Sequence, residues 1–132
     1  ALSTDGRLAY VANSGSGNVT VVDAWSMAPI GLLTVGVSPQ KVAATPDGKR
    51  ILVTNKGSAT VSVIDTQSNS IVGTVNVGNG PLGIAVSPNS QFAYVANKDD
   101  GTVSLINIRS MSVMHVTDPM PKSSPYGVAV RP

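Results

Sequence analysis

Short apolar runs separated by polar turns dominate this chain, and they recur in register. Tyr10-Val11-Ala12-Asn13, Leu52-Val53-Thr54-Asn55 and Tyr94-Val95-Ala96-Asn97 end in asparagines spaced 42 and 42 residues apart. A turn precedes each run in the same phase: Thr4-Asp5-Gly6-Arg7, Pro46-Asp47-Gly48-Lys49 and Pro88-Asn89-Ser90-Gln91. A third landmark follows: Val19-Thr20-Val21-Val22-Asp23, Val61-Ser62-Val63-Ile64-Asp65 and Val103-Ser104-Leu105-Ile106-Asn107. Three landmarks sharing one period make repetition the primary fact about the chain. The runs lack helical 3.6-residue spacing and are bounded by Gly, Pro, Asn and Asp, so each unit reads as four short strands.

In the central unit the first strand is Val42 to Ala44, matched by Ile84 to Val86 and Val128 to Val130. An Asp-Gly turn, in which glycine relieves the positive φ of a tight hairpin, leads to the second strand, Ile51 to Thr54. A polar loop leads to the third, Thr60 to Ile64, and the fourth runs from Ile71 to Val77 before Gly78-Asn79-Gly80-Pro81. The second and third strands are apolar or small on both faces, which suits sheets stacked face to face. A period in the low forties with four strands per unit predicts propeller blades. The fold class expected is therefore all-β, with three four-stranded antiparallel up-and-down blades in an incomplete ring. One propeller segment, 1–132, divides into repeats at about 1–41, 42–83 and 84–132.

The Tyr-Val-Ala-Asn and Leu-Val-Thr-Asn landmarks, with Pro-Asp-Gly before and Val-Ser-Val-Ile-Asp after, resemble the YVTN β-propeller repeat. The resemblance covers essentially the whole chain. It implies a ring, commonly of seven blades, in proteins that are often exported or on the cell surface, or that resemble lactonase-type enzymes. Ala1-Leu2-Ser3 aligns with Ala85-Val86-Ser87, and the chain stops at Ala129-Val130-Arg131-Pro132 in the same phase. The first blade is thus expected to lack most of its inner strand, and residues 126–130 to carry a spare one. Three blades left open expose two blade faces and an unpaired edge. Further blades are the expected partners, either in a longer parent chain or in a second copy making a six-bladed ring.

Composition narrows the chemistry. Apolar residues make up 42% and charged residues 12%, which excludes a disordered chain. The net charge of +2 is spread out, so nucleic acid is not an expected partner. All seven acidic residues are Asp and there is no cysteine, so neither a disulfide framework nor thiolate chemistry is available. No apolar run approaches the ~20 residues that span a bilayer. No cofactor or metal is expected. The compartment expected from the resemblance is extracytoplasmic: periplasmic, secreted or cell surface.

Loops after the second and fourth strands should share one face of the ring, with Gln40, Lys41, Lys56, Lys98, Asp99, Asp100, Lys122 and Tyr126. That face, near the ring axis, is the expected ligand or partner surface. The opposite face collects Asp5, Arg7, Asp47, Lys49, Arg50, Trp25 and Arg109; Trp25 is a candidate aromatic anchor. Asn13, Asn55 and Asn97, with Asp23, Asp65 and Asn107, recur in every blade and are expected to be structural, bonding nearby backbone amides in turns. Asp99-Asp100 offers too few oxygens for Ca²⁺. His115, the only histidine, falls on an outer strand with Met111 and Met114 nearby and reads as a surface residue rather than a ligand or triad member. Asn18-Val19-Thr20 fits a glycosylation acceptor at a strand start. With no Glu, no catalytic residue is assigned. The function expected is a non-catalytic scaffold or binding module; the alternative is part of a lactonase-like enzyme whose site lies mostly on other blades.

Overall fold

A computed structural model describes residues 1–120 and 124–131. Lys122, placed above on the candidate face, lies outside the described residues. The described residues form eleven strands and no helix. Blade 1 comprises β1 (Leu8–Asn13), β2 (Asn18–Asp23) and β3 (Pro29–Thr34) in that order. Blade 2 comprises β4 (Pro39–Ala44), β5 (Arg50–Asn55), β6 (Thr60–Asp65) and β7 (Ser70–Asn76). Blade 3 comprises β8 (Pro81–Val86), β9 (Phe92–Asn97), β10 (Thr102–Asn107) and β11 (Ser112–Val116). Every sheet is an antiparallel meander in sequence order, as the hairpin turns demand.

Blades 2 and 3 have four strands, whereas blade 1 has three, with a single bridge, Leu2↔Ala9, at the position where the inner strands of the other blades end. The inner strands start earlier than their apolar runs indicate, at Pro39 and Pro81. Proline is tolerated at the first residue of a strand because no ladder donor is lost there. Residues 124–131 pair with no strand. The stretch expected as a spare inner strand instead lies against blade 3, with Gly127 Cα 2.5 Å from where a Cβ on Gly83 would sit.

The core lies between blades. Tyr10, Val19 and Val21 of blade 1 pack on Ile51, Val53 and Ile64 of blade 2. Leu52, Val61, Val63 and Val75 of blade 2 pack on Ala93, Val95, Ile106 and Ile108 of blade 3. Alternate residues of β5 and β6 therefore serve opposite interfaces, which is why both strands are apolar on both faces. At ~25 cal/mol per Å² of apolar surface removed from water, this stacking supplies most of the drive for blades to associate.

Candidate functional site

At the end of the strands where Asn13, Asn55 and Asn97 lie, each connector between blades is clamped by the next blade's second hairpin. Gly36-Val37-Ser38 runs beside Lys56-Gly57-Ser58: Lys56 N donates to Ser38 O (3.0 Å), Gly57 N to Val37 O (2.9 Å) and Val37 N to Ser58 Oγ (3.0 Å). One blade on, Lys98 N donates to Gly80 O (2.9 Å) and Asp99 N to Asn79 O (3.1 Å). Asp100 closes this second clamp, accepting from Asn79 N (2.7 Å) and Asn79 Nδ2 (3.0 Å). Asp100 is thus engaged in holding the connector rather than presented to solvent chemistry.

Between the two clamps lies an open cleft of about 450 Å³ lined by Ser38, Lys56, Gly57, Ala59, Asn79, Gly80 and Asp99. The cleft brings an ammonium and a carboxylate, Lys56 and Asp99, to one wall-to-wall site between blades 2 and 3. Beside it, Lys98 Nζ sits 4.9 Å from the centroid of the Tyr126 ring, within cation–π range. Lys41 lies on β4, exposed, with its backbone N–H donated to Thr54 Oγ1 (3.1 Å). Thr54 Oγ1 donates in turn to Leu82 O (2.9 Å), tying β5 to the inner strand of the next blade.

Trp25 is not part of this face. It occupies the turn after β2, at the opposite end of the strands, and is 86% exposed, covering no blade edge. His115 is exposed on β11, paired with Leu105. Asn18 opens β2, and its Oδ1 accepts from Asn13 Nδ2 (2.8 Å).

The recurrent polar residues divide into two kinds. Asp23 accepts from the N–H groups of Trp25 and Ser26 (2.9 and 2.8 Å), and Asp65 from those of Gln67 and Ser68 (2.9 and 3.0 Å). Asn107 accepts from Ser110 N (3.0 Å) in the same turn of blade 3. The Ser26 and Trp25 amides hold the Asp23 carboxyl below its usual value, and the Ser68 and Gln67 amides, with Arg50 nearby, do so for Asp65. Arg50 also pairs directly with Asp65. The asparagines behave differently from the expectation of backbone amide partners. Asn55 Nδ2 donates to Thr60 Oγ1 (3.1 Å) and Ser62 Oγ (2.9 Å), and Asn97 Nδ2 to Thr102 Oγ1 (3.0 Å) and Ser104 Oγ (2.8 Å). Asn13 repeats the arrangement with Asn18 and Thr20. The reason is position: these residues end a central strand, opposite hydroxyls on its hairpin partner rather than beside a free amide.

Sequence reasoning did not single out Gly36, Ser38, Asn79 and Gly80 as parts of the site. Their signal is present as Gly36-Val37-Ser38-Pro39 and Gly78-Asn79-Gly80-Pro81, 42 residues apart.

The profile of the seven-bladed β-propeller lactonase family matches residues 1–128. The chain belongs to that family. A comparison with curated protein sequences found no match. Among solved structures, the chain is similar to hydrazine synthase of Kuenenia stuttgartiensis, with 31% identity and a TM-score of 0.89 over 96% of this chain and 36% of that one. It is also similar to the periplasmic gluconolactonase PpgL of Pseudomonas aeruginosa, with 22% identity and a TM-score of 0.80 over 96% of this chain and 40% of that one. The dihydro-heme d1 dehydrogenase NirN matches at 24% identity and a TM-score of 0.75 over 83% of this chain and 24% of that one. The chain thus spans well under half the length of these relatives.

Proposed function

We propose that the chain is a non-catalytic binding or structural segment of an exported or cell-surface propeller protein, with further blades as its partners in the ring. Its working surface is the clamped face between blades 2 and 3. A single observation supports the reading: on this face the hydrogen-bonding groups build the connectors, while Lys56 and Asp99 are the charged residues lining the cleft between them. The pair offers one donor and one acceptor of opposite charge, which suits a polar ligand or a polar side chain of a partner protein. Lys98 stacked on Tyr126, and Lys41 on the inner strand, extend that surface toward the ring axis. The periplasmic location in PpgL's name supports an extracytoplasmic assignment.

Family membership favours a second reading, in which the full ring hydrolyses a lactone. The deciding assay uses the full-length protein containing this chain, with D-glucono-δ-lactone as substrate. The binding reading expects no saturable hydrolysis above the buffer rate. Saturable hydrolysis overturns it, and loss of that activity in Lys56→Ala or Asp99→Asn would place the chemistry in this cleft.

A further inference from the structure

The seam between blades 2 and 3 opens a second cavity at the other end of the strands, away from the clamped cleft. It encloses about 440 Å³ between the first hairpin turn of blade 2 and the turns after β8 and β10 of blade 3, with Asp47, Lys49, Arg50, Ser90, Gln91 and Arg109 among its lining residues. Asp47 N donates to Ser90 Oγ across the seam (2.9 Å), which fixes the two hairpin turns against each other. The matching seam between blades 1 and 2 encloses only about 180 Å³, and its described lining carries two carboxylates, Asp5 and Asp47, and no cation. One blade on, three cations stand against one carboxylate.

Two of those cations depart from the repeat. Arg50 stands where the other blades have Leu8 and Phe92, and Arg109 where they have Trp25 and Gln67. A requirement of the blade itself would recur in each repeat, as Asp23, Asp65 and Asn107 do, and these arginines do not. The charged groups are also differently engaged. Arg50 is shared between Asp65 and Lys49 O. Asp47 is turned into its own hairpin, its Oδ1 accepting from Thr45 Oγ1 (2.6 Å) and Lys49 N (3.0 Å). Lys49 and Arg109 are exposed, and their side chains have no hydrogen-bond or ion-pair partner among the described residues. An ammonium and a planar guanidinium set round a concavity, with the hydroxyl of Ser90 and the amide of Gln91 beside them, form a donor set for an oxyanion: the guanidinium fork takes two oxygens side by side and the ammonium neutralises charge. A cavity of this volume falls in the range of small-molecule sites, on the order of 300–1,000 Å³, so it takes the anionic group together with part of the molecule that carries it.

We propose that this cavity binds a small organic anion, a molecule presenting a phosphate or carboxylate group to Lys49 and Arg109, with Arg50 adding charge from its pair with Asp65. The site lies at the opposite end of the strands from the cleft of Lys56 and Asp99, and it does not depend on what that cleft binds.

The test is a titration of the full-length protein containing this chain with sodium phosphate and, separately, sodium acetate, at an ionic strength held constant with sodium chloride. Amide chemical shifts of residues 45–50, 89–91 and 108–109 report binding at the cavity. Lys49→Gln and Arg109→Gln install residues that the repeat already uses at these positions, Gln91 and Gln67, so the blades keep side chains they tolerate. Arg7→Gln removes the same charge at the same hairpin position of blade 1, outside the cavity lining. Expected are saturable shifts at those residues with at least one of the two anions, phosphate alone marking a phosphate-bearing ligand and acetate alone a carboxylate. Binding should weaken about tenfold in each of Lys49→Gln and Arg109→Gln, as the loss of one charge-assisted hydrogen bond implies, and hold its wild-type strength in Arg7→Gln. Absence of a saturable shift with both anions overturns the proposal. So does wild-type affinity in either Lys49→Gln or Arg109→Gln, or an equal weakening by Arg7→Gln, which would reduce the effect to net charge.

Discussion

Replacing Gly78 by alanine should destabilise this protein, while the same change at Gly31 should not: Gly78 opens the connector after β7 and Gly31 lies within β3. A Cβ on Gly78 would stand 2.7 Å from Cγ and Nδ2 of Asn97 and 2.9 Å from its Cβ. Comfortable carbon contacts lie near ~3.5–4.0 Å, so Asn97 must retreat by most of an ångström. It has nowhere to go: its side chain is fully buried and held by Thr102 and Ser104. Releasing two neutral hydrogen bonds whose hydroxyls then stay buried costs about 1–3 kcal/mol each, about 3–5 kcal/mol together. Against this, alanine restricts the unfolded chain and returns roughly 0.4–1 kcal/mol, since Gly78 does not adopt a positive φ. The net expectation is about 2–4 kcal/mol of destabilisation.

At Gly31 the nearest atom to an added Cβ is Val21 Cβ at 3.6 Å, an ordinary contact, so only the unfolded-state term remains. Gly31→Ala should therefore be neutral or more stable by up to about 1 kcal/mol. Urea titrations of the two variants and wild type, read at constant m-value, give the comparison directly. At roughly 2–8 °C per kcal/mol for domains of this size range, the melting temperatures should separate by on the order of 10 °C. Equal shifts in the two variants would refute the packing argument, because the backbone effect is common to both.

Three further outcomes follow from the same contacts. Gly73→Ala should destabilise by about 1–3 kcal/mol through overpacking, and Met111→Ala in the same chain should recover part of that loss, measured as a double-mutant cycle in urea. Gly83→Ala should displace Tyr126–Gly127, whose backbone lies 2.5–2.7 Å from the added Cβ, and thereby raise amide exchange over 124–131 without changing it in β5 or β6. For pH, the lowered carboxyls of Asp23 and Asp65 contribute stability that is present above the unfolded value of 3.8 and is lost as pH falls through the lower folded value. Asp23→Asn/Asp65→Asn should keep the turns, as Asn107 does in blade 3, while flattening the stability profile from about pH 5 to about pH 2.

The repeat made most of the fold legible because every landmark in it answers a local demand. Asp47-Gly48 is readable as a hairpin because glycine takes φ 73° there, and β5 and β6 are readable as doubly covered because their apolar residues do not alternate. The inner strands were legible only in part: Pro39 and Pro81 carry no ladder donor, and the pairing shifts register between Pro39 and Val42 and between Pro81 and Ile84. The cleft was not legible as a set of contacts. Lys56 and Asp99 stand 43 positions apart in sequence, in hairpins of different blades, and only the clamps between connector and loop bring them to one cleft. Asp100 could not be told from Asp99 by sequence, since its role depends on Asn79 reaching it from the preceding blade.

The asparagine that ends the second strand of each blade joins these levels. Within its blade it crosslinks a hairpin through two hydroxyls; between blades its bulk fills the space that Gly36 or Gly78 leaves empty. The same glycine begins the connector whose next residues form the clamp lining the cleft. A change at Asn55 or Asn97 therefore acts on hairpin and interface together, while a change at Lys56 or Asp99 touches only the lining of the cleft. Interblade packing is thus fixed by a glycine and an asparagine, while the loop residue after the asparagine differs from blade to blade, as Ser14, Lys56 and Lys98 do here.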